Sequence, residues 1–127
     1  MSVWWENLDP KTKCWWMLID YLKAIISGLM GEKNNLVKNA LPGQGYALTF
    51  ILRYNVFYND RNKQLEFENK LKNDGIYNFI KVEYGKNAGS YAIKVSFNSD
   101  IKEDELESMI GLFALLGYTE SLNESLF

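Results

Sequence analysis

From Tyr46 onward the apolar residues change period in the order β-α-β-β-α, and that order leaves few ways to pair three strands. Alternation with a period of two marks a strand; recurrence near 3.6 marks a helix. Over Tyr46–Tyr58, Leu48, Phe50, Leu52, Tyr54, Val56 and Tyr58 share one side of an extended segment. Asn59 and Asp60 then offer caps for a helix over 61–73, anchored by Phe67 and Leu71 and ended by Gly75. A second strand is read over Ile76–Tyr84, a hairpin loop over Gly85–Gly89, and a third strand over Ser90–Asn98. In that third strand Tyr91, Ile93, Val95 and Phe97 alternate strictly. The last helix is read from Asp100, where Asp100 and Glu103 have capping-box spacing. Its core face is Leu106, Met109, Ile110, Phe113 and Leu116, and Gly117 ends it. The segment Thr119–Phe127 is read as a short edge strand.

The right-handed crossover rule sets the first two strands parallel with the third between them. This arrangement resembles the split β-α-β-β-α unit of ferredoxin-like folds. The expected class is therefore α+β, with a mixed or antiparallel sheet of three to four strands. The chain is read as one domain, 1–127, with an N-terminal helical extension over 1–41 and a ferredoxin-like core over 46–127. In the extension, Asp9-Pro10 supplies an N-cap and a first helical residue, and a helix runs to Met30. Trp15, Leu18, Ile19, Leu22, Ile25, Ile26 and Leu29 form its apolar face. Lys13, Asp20, Lys23 and Ser27 form a narrow polar stripe, and Trp16 falls inside it. Glu32–Leu41 reads as a short further helix, and Leu41-Pro42-Gly43-Gln44-Gly45 as a breaking loop. The long helix either covers the open face of the sheet or joins the helical layer. Such a fold hosts many functions and assigns none by itself.

Residue usage excludes more than it suggests. The 127 residues include no histidine and one cysteine, Cys14, inside the apolar helical pattern. Histidine is the usual general base near neutral pH and the commonest metal ligand. Without it there is no Ser-His or Cys-His pair, and a lone thiol builds neither a thiolate metal cage nor an internal disulfide. Neither catalysis, nor a metal, nor a cofactor is expected. A single cysteine fits a reducing cytosol, and a cytoplasmic location is expected. Residues 2–13 balance Glu6 and Asp9 against Lys11 and Lys13, unlike the basic start of a signal peptide. Asp20 and Lys23 interrupt the apolar run from Cys14 to Met30, so no membrane span is expected.

Charge is split along the chain. Residues 1–94 carry a net charge of +4 and residues 95–127 a net of −6. Asp100, Glu103, Asp104, Glu105 and Glu107 lie within eight residues, with Lys102 the only cation among them. Carboxylates in a first turn complement the helix dipole, and an acidic helix start also suits a basic protein surface. Trp4, Trp5, Trp15 and Trp16 cluster near the N-terminus. Trp15 is read as core; Trp4, Trp5 and Trp16 are candidate anchors, because tryptophan is enriched at interface hot spots.

The expected function is thus protein binding without catalysis. Glu103, Asp104, Glu105, Glu107, Trp4, Trp5 and Trp16 would carry the interface to a protein with a basic surface. Size, charge split and absent chemistry fit a stoichiometric inhibitor, as an immunity protein neutralises a toxin or a phage protein blocks a host defence complex. An acidic surface can occupy a basic groove that phosphate would otherwise enter. A second reading is a single-stranded nucleic-acid binder, in which Tyr77, Phe79 and Lys81 alternate on a sheet face with Arg53 nearby. It lacks the aromatic-glycine signature of RNA-recognition modules, and nucleic acid is the less favoured partner. A third is a homo-oligomeric structural or sensor subunit, with a homodimer as its simplest form.

Overall fold

The computed structural model describes residues 9–30, 37–42, 47–52, 60–87 and 90–118. The chain is α+β. Its elements are α1 (Pro10–Met30), β1 (Val37–Pro42), β2 (Ala47–Leu52), α2 (Arg61–Asn73), a 3₁₀ turn (Tyr77–Phe79), β3 (Ile80–Asn87), β4 (Ser90–Phe97) and α3 (Glu103–Leu115). The strands form one sheet in the order β1-β2-β4-β3, with every neighbouring pair antiparallel.

Local chemistry sets the helix ends. At the start of α1, Thr12 donates its backbone N–H to Asp9 Oδ1 at 2.9 Å and its hydroxyl to Asp9 Oδ2 at 2.8 Å. These bonds hold the Asp9 carboxyl below the usual carboxylate range. Asp60 caps α2, where its Oδ1 accepts from the N–H groups of Asn62 and Lys63 at 3.0 and 3.2 Å. Gly75, at φ 80°, takes the left-handed turn beyond the end of α2.

All three helices lie against one side of the sheet. Ile80, Val82 and Tyr84 on β3 stand opposite Phe97, Val95 and Ile93 on β4. Of these, Ile80, Ile93, Val95 and Phe97 are buried in one cluster with Phe67 and Leu71 of α2 and Leu106, Met109 and Phe113 of α3. The intervening residues Lys81, Glu83 and Lys94 are exposed on the other face. The helix α1 joins the helical layer between its two neighbours. Cys14 Sγ lies 3.7 Å from Met109 Sδ, and the Tyr21 ring centroid lies 5.3 Å from that of Phe113. On its other side, the Tyr21 hydroxyl donates to Asp74 Oδ2 at 2.6 Å beyond the end of α2. Lys63 Nζ reaches the Leu29 carbonyl at 3.5 Å. So α1 runs with α3 and against α2.

This placement widens the buried arc of α1. The sequence pattern centres its core face on Trp15, Leu18, Ile19, Leu22, Ile25, Ile26 and Leu29. The residues removed from water are Cys14, Met17, Leu18, Ile19, Tyr21, Leu22 and Ile26, while Trp15, Ile25 and Leu29 are partly buried. Two helical neighbours, not one apolar stripe, decide which positions lose solvent.

Four further expectations change. Residues 37–41, read as the end of a helical extension, belong to strand β1, and Leu41 and Pro42, read as loop, pair with Thr49 and Leu48. Pro42 is tolerated because β1 is an edge strand among the described residues. Residues 76–79, read as strand, make a turn in which Phe79 N–H bonds to the Ile76 carbonyl. Gly85, Lys86 and Asn87, read as hairpin loop, pair with Ala92, Tyr91 and Ser90. Finally, α3 begins at Glu103 and not at Asp100. Of the strand read over 46–58, 47–52 is strand β2; residues 46 and 53–58 lie outside the described residues, as does the segment Thr119–Phe127.

Candidate functional site

The acidic start of α3 is built by a cap that differs from the expected one. The N-cap is Lys102, whose backbone N–H donates to Glu105 Oε1 at 3.1 Å. The Glu105 N–H in turn donates to Asp104 Oδ1 at 2.9 Å. Asp100 lies in the turn before the helix, where Ile101 packs partly buried against the core. That inward step moves the N-cap two residues on, from Asp100 to Lys102, and gives Glu105, not Glu103, the capping role. Glu103, Asp104 and Glu107 are left exposed, and Glu105 is half-buried.

The start of α1 lies beside this turn. Asp9, Pro10 and Lys11 share with Glu103 and Leu106 a shallow recess of about 250 Å³. Trp4 and Trp5 lie outside the described residues. Trp16 is placed otherwise than expected. It is half-buried against the core, in edge contact with Trp15 at 5.3 Å between ring centroids.

The sheet-face constellation is not assembled. Tyr77 and Phe79 stand in the 3₁₀ turn before β3 and partly pack on the helix-side cluster, whereas Lys81 is exposed on the sheet. The Tyr77 hydroxyl is directed to Glu68 Oε1 at 3.3 Å, and Lys72 Nζ sits 4.8 Å from the centre of its ring. Arg53 lies outside the described residues.

One polar cluster has no counterpart in the sequence reading. Glu68, on α2, is 8% exposed. Its carboxylate accepts from the Tyr84 hydroxyl at 2.8 Å and from Tyr77, and Arg61 Nη1 lies 3.5 Å away. Burial first, then the bond to Glu68, raises the Tyr84 phenol well above its ordinary pKa, and the same causes raise Tyr77. Both carboxylate oxygens accept from a phenol of the fold, so the cluster ties α2 to β3 and to the turn before it. Nothing in local spacing announces it, because the partners come from separate elements.

A groove of about 480 Å³ also runs between α1 and α2, floored by Ala24, Ile25 and Gly28 and rimmed by Glu66, Asn69 and Lys70. Among the described residues, no helix is long and apolar enough to cross a membrane, and no three His, Cys, Asp or Glu side chains gather as a metal site. No protein-family model matches the chain, and no curated protein or solved structure matches it significantly.

Proposed function

We propose that this protein is a non-catalytic binding module that docks a basic protein surface through the start of α3. The observation that carries this reading is the state of its carboxylates. Glu66, Glu68, Asp74 and Glu83 each have a lysine or arginine partner. Among the described residues, Glu103, Asp104 and Glu107 are exposed and form no ion pair. A set of exposed, unneutralised carboxylates beside a helix start steers a cationic partner and fixes its register. Trp4 and Trp5 would add apolar anchors at its margin; Trp5 is tethered to Asp9 by a span of at most ~14 Å. The role that fits is stoichiometric inhibition in the cytoplasm, of the immunity-protein or phage anti-defence kind, with a partner whose basic groove handles phosphate. The lone buried thiol of Cys14 accords with a reducing compartment. The architecture is ferredoxin-like in this proposal, with β2, β3 and β4 as the split unit, α2 and α3 as its helices, and β1 and α1 as additions.

The experiment is capture of the native partner by the wild-type chain and by a Glu103→Lys/Asp104→Lys/Glu107→Lys variant, with circular dichroism to verify folding. Loss of the partner from the folded variant is expected. A folded variant that retains the same partner with equal affinity moves the interface off α3.

A further inference from the structure

Among the described residues, β3 is the last strand of the sheet, and its eight residues present an outer edge beyond β4. The direction of its backbone groups follows from the β3–β4 ladder. Asn98 N–H bonds to the Phe79 carbonyl at 3.0 Å, one step beyond the pair Ile80 and Phe97. Antiparallel ladders alternate between pairs that exchange hydrogen bonds and pairs that do not. Lys81 and Ser96, and then Glu83 and Lys94, are therefore bonded pairs, with their backbone groups turned inward. Val82 and Tyr84 turn theirs outward, as does the Ile80 carbonyl. The Ile80 N–H is already bonded to the Tyr77 carbonyl.

We infer that a second copy of this chain pairs along β3, antiparallel, about a two-fold axis at Val82. An added antiparallel strand must set outward-turned residues against outward-turned residues, which confines the axis to residue positions. Side-chain charge then selects among them. An axis at Lys81 sets Lys81 against itself, and an axis at Glu83 sets Glu83 against itself, and like charges directly opposite destabilise a ladder. An axis at Tyr84 sets Glu83 against Gly85, and positions farther out bring neither charge to its opposite. The axis at Val82 alone sets Lys81 of each copy against Glu83 of the other, on both sides of the axis. Both side chains are on the open face of the sheet and reachable, at 67% and 49% exposure, and within one copy they form only a 3.7 Å pair along the strand. In this register Val82 exchanges hydrogen bonds with its own copy, and Tyr84 N–H donates to the Ile80 carbonyl of the other. The half-exposed Val82 side chains meet on the helix side, and the two sheets become one.

This association uses none of the α3 carboxylates and stands independently of the docking reading. Sedimentation equilibrium of the full chain tests it with Lys81→Glu, Glu83→Lys and the double exchange, each verified as folded by circular dichroism. The wild type is expected to dimerise. Each single variant is expected to weaken the dimer by on the order of tenfold, since two facing pairs turn repulsive at once. The double exchange restores opposite charges across the axis and is expected to recover the dimer. A wild type that stays monomeric at every concentration overturns the inference. So do single variants that dimerise like the wild type, or a double exchange that recovers nothing.

Discussion

Glu68 Oε2 and the Tyr84 hydroxyl meet at 2.8 Å, which joins the middle of α2 to the middle of β3. A nearly buried carboxylate is tolerated only where hydrogen bonds replace its water, and here two phenols and a guanidinium do so. Tyr84→Phe removes one donor and is expected to cost about 1.5–3 kcal/mol, the range for a bond to a charged group. Glu68→Ala is expected to cost more than Glu68→Gln, because alanine takes the carboxylate acceptor from Tyr77 and leaves Tyr84 only the 3.4 Å contact with the Gln64 carbonyl. Urea unfolding of the three variants checks the order. Equal stability of Tyr84→Phe and wild type would show that this bond contributes nothing.

Cys14 gives the fold an alkaline limit. Burial pushes its thiol from 9.0 up to about 12. Below pH 9 the thiol is protonated in both folded and unfolded chains, and its contribution to stability is fully present. Between pH 9 and 12 the unfolded chain loses this proton and the folded chain keeps it. Stability then falls, with a slope approaching ~1.4 kcal/mol per pH unit. Cys14→Ala lowers stability at all pH values through the lost packing, but it is expected to flatten the decline between pH 9 and 10 by the thiol's share, the tyrosines of the unfolded chain, with an ordinary pKa of 10.0, supplying the rest. Urea midpoints across that interval measure the slope, and an unchanged slope in the alanine variant refutes the assignment.

The carboxylates at the start of α3 divide into one that folds the helix and three that face solvent. Glu105 accepts the Lys102 N–H, so Glu105→Ala is expected to lower stability by ~1 kcal/mol, the usual worth of a helix cap. Glu103→Gln and Glu107→Gln change only dipole interactions at exposed sites, each worth a few tenths of a kcal/mol. Thermal melts separate the two groups. A Glu105→Ala variant as stable as Glu103→Gln would remove the capping role.

What the sequence revealed followed the range of the interactions involved. The bounds of α2 are legible because Asp60 and Gly75 act on residues next to them. The start of α1 is legible for the same reason. The strand β1 is not, since Val37-Lys38-Asn39-Ala40-Leu41-Pro42 has no alternation, and only the neighbouring edge of β2 makes it extended. The alternation reading ran a strand through Tyr77 and Phe79 because the 3₁₀ bonds that bend the chain leave no trace in residue type. Glycine at 85 suggested a loop, while pairing with Ala92 held it in the ladder. At the candidate site, the exposed carboxylates of α3 were legible as a charge run. The burial of Trp16 was not, because a helix flanked on two sides exposes less than its own apolar stripe implies. Glu68 was invisible, because its phenol partners lie 9 and 16 residues away and meet it only when α2 lies over β3.

The central seat of α1 also bears on how the chain comes into being. Cys14 rests on Met109, 95 residues later in the chain. At ribosomal speeds of about 5–20 residues per second, that cover arrives roughly 5–20 seconds after the helix does. Until α3 is made, Met17, Leu18, Tyr21 and Leu22 of a nascent chain lack the cover that α3 gives them, so this core closes only after residue 113 has been added.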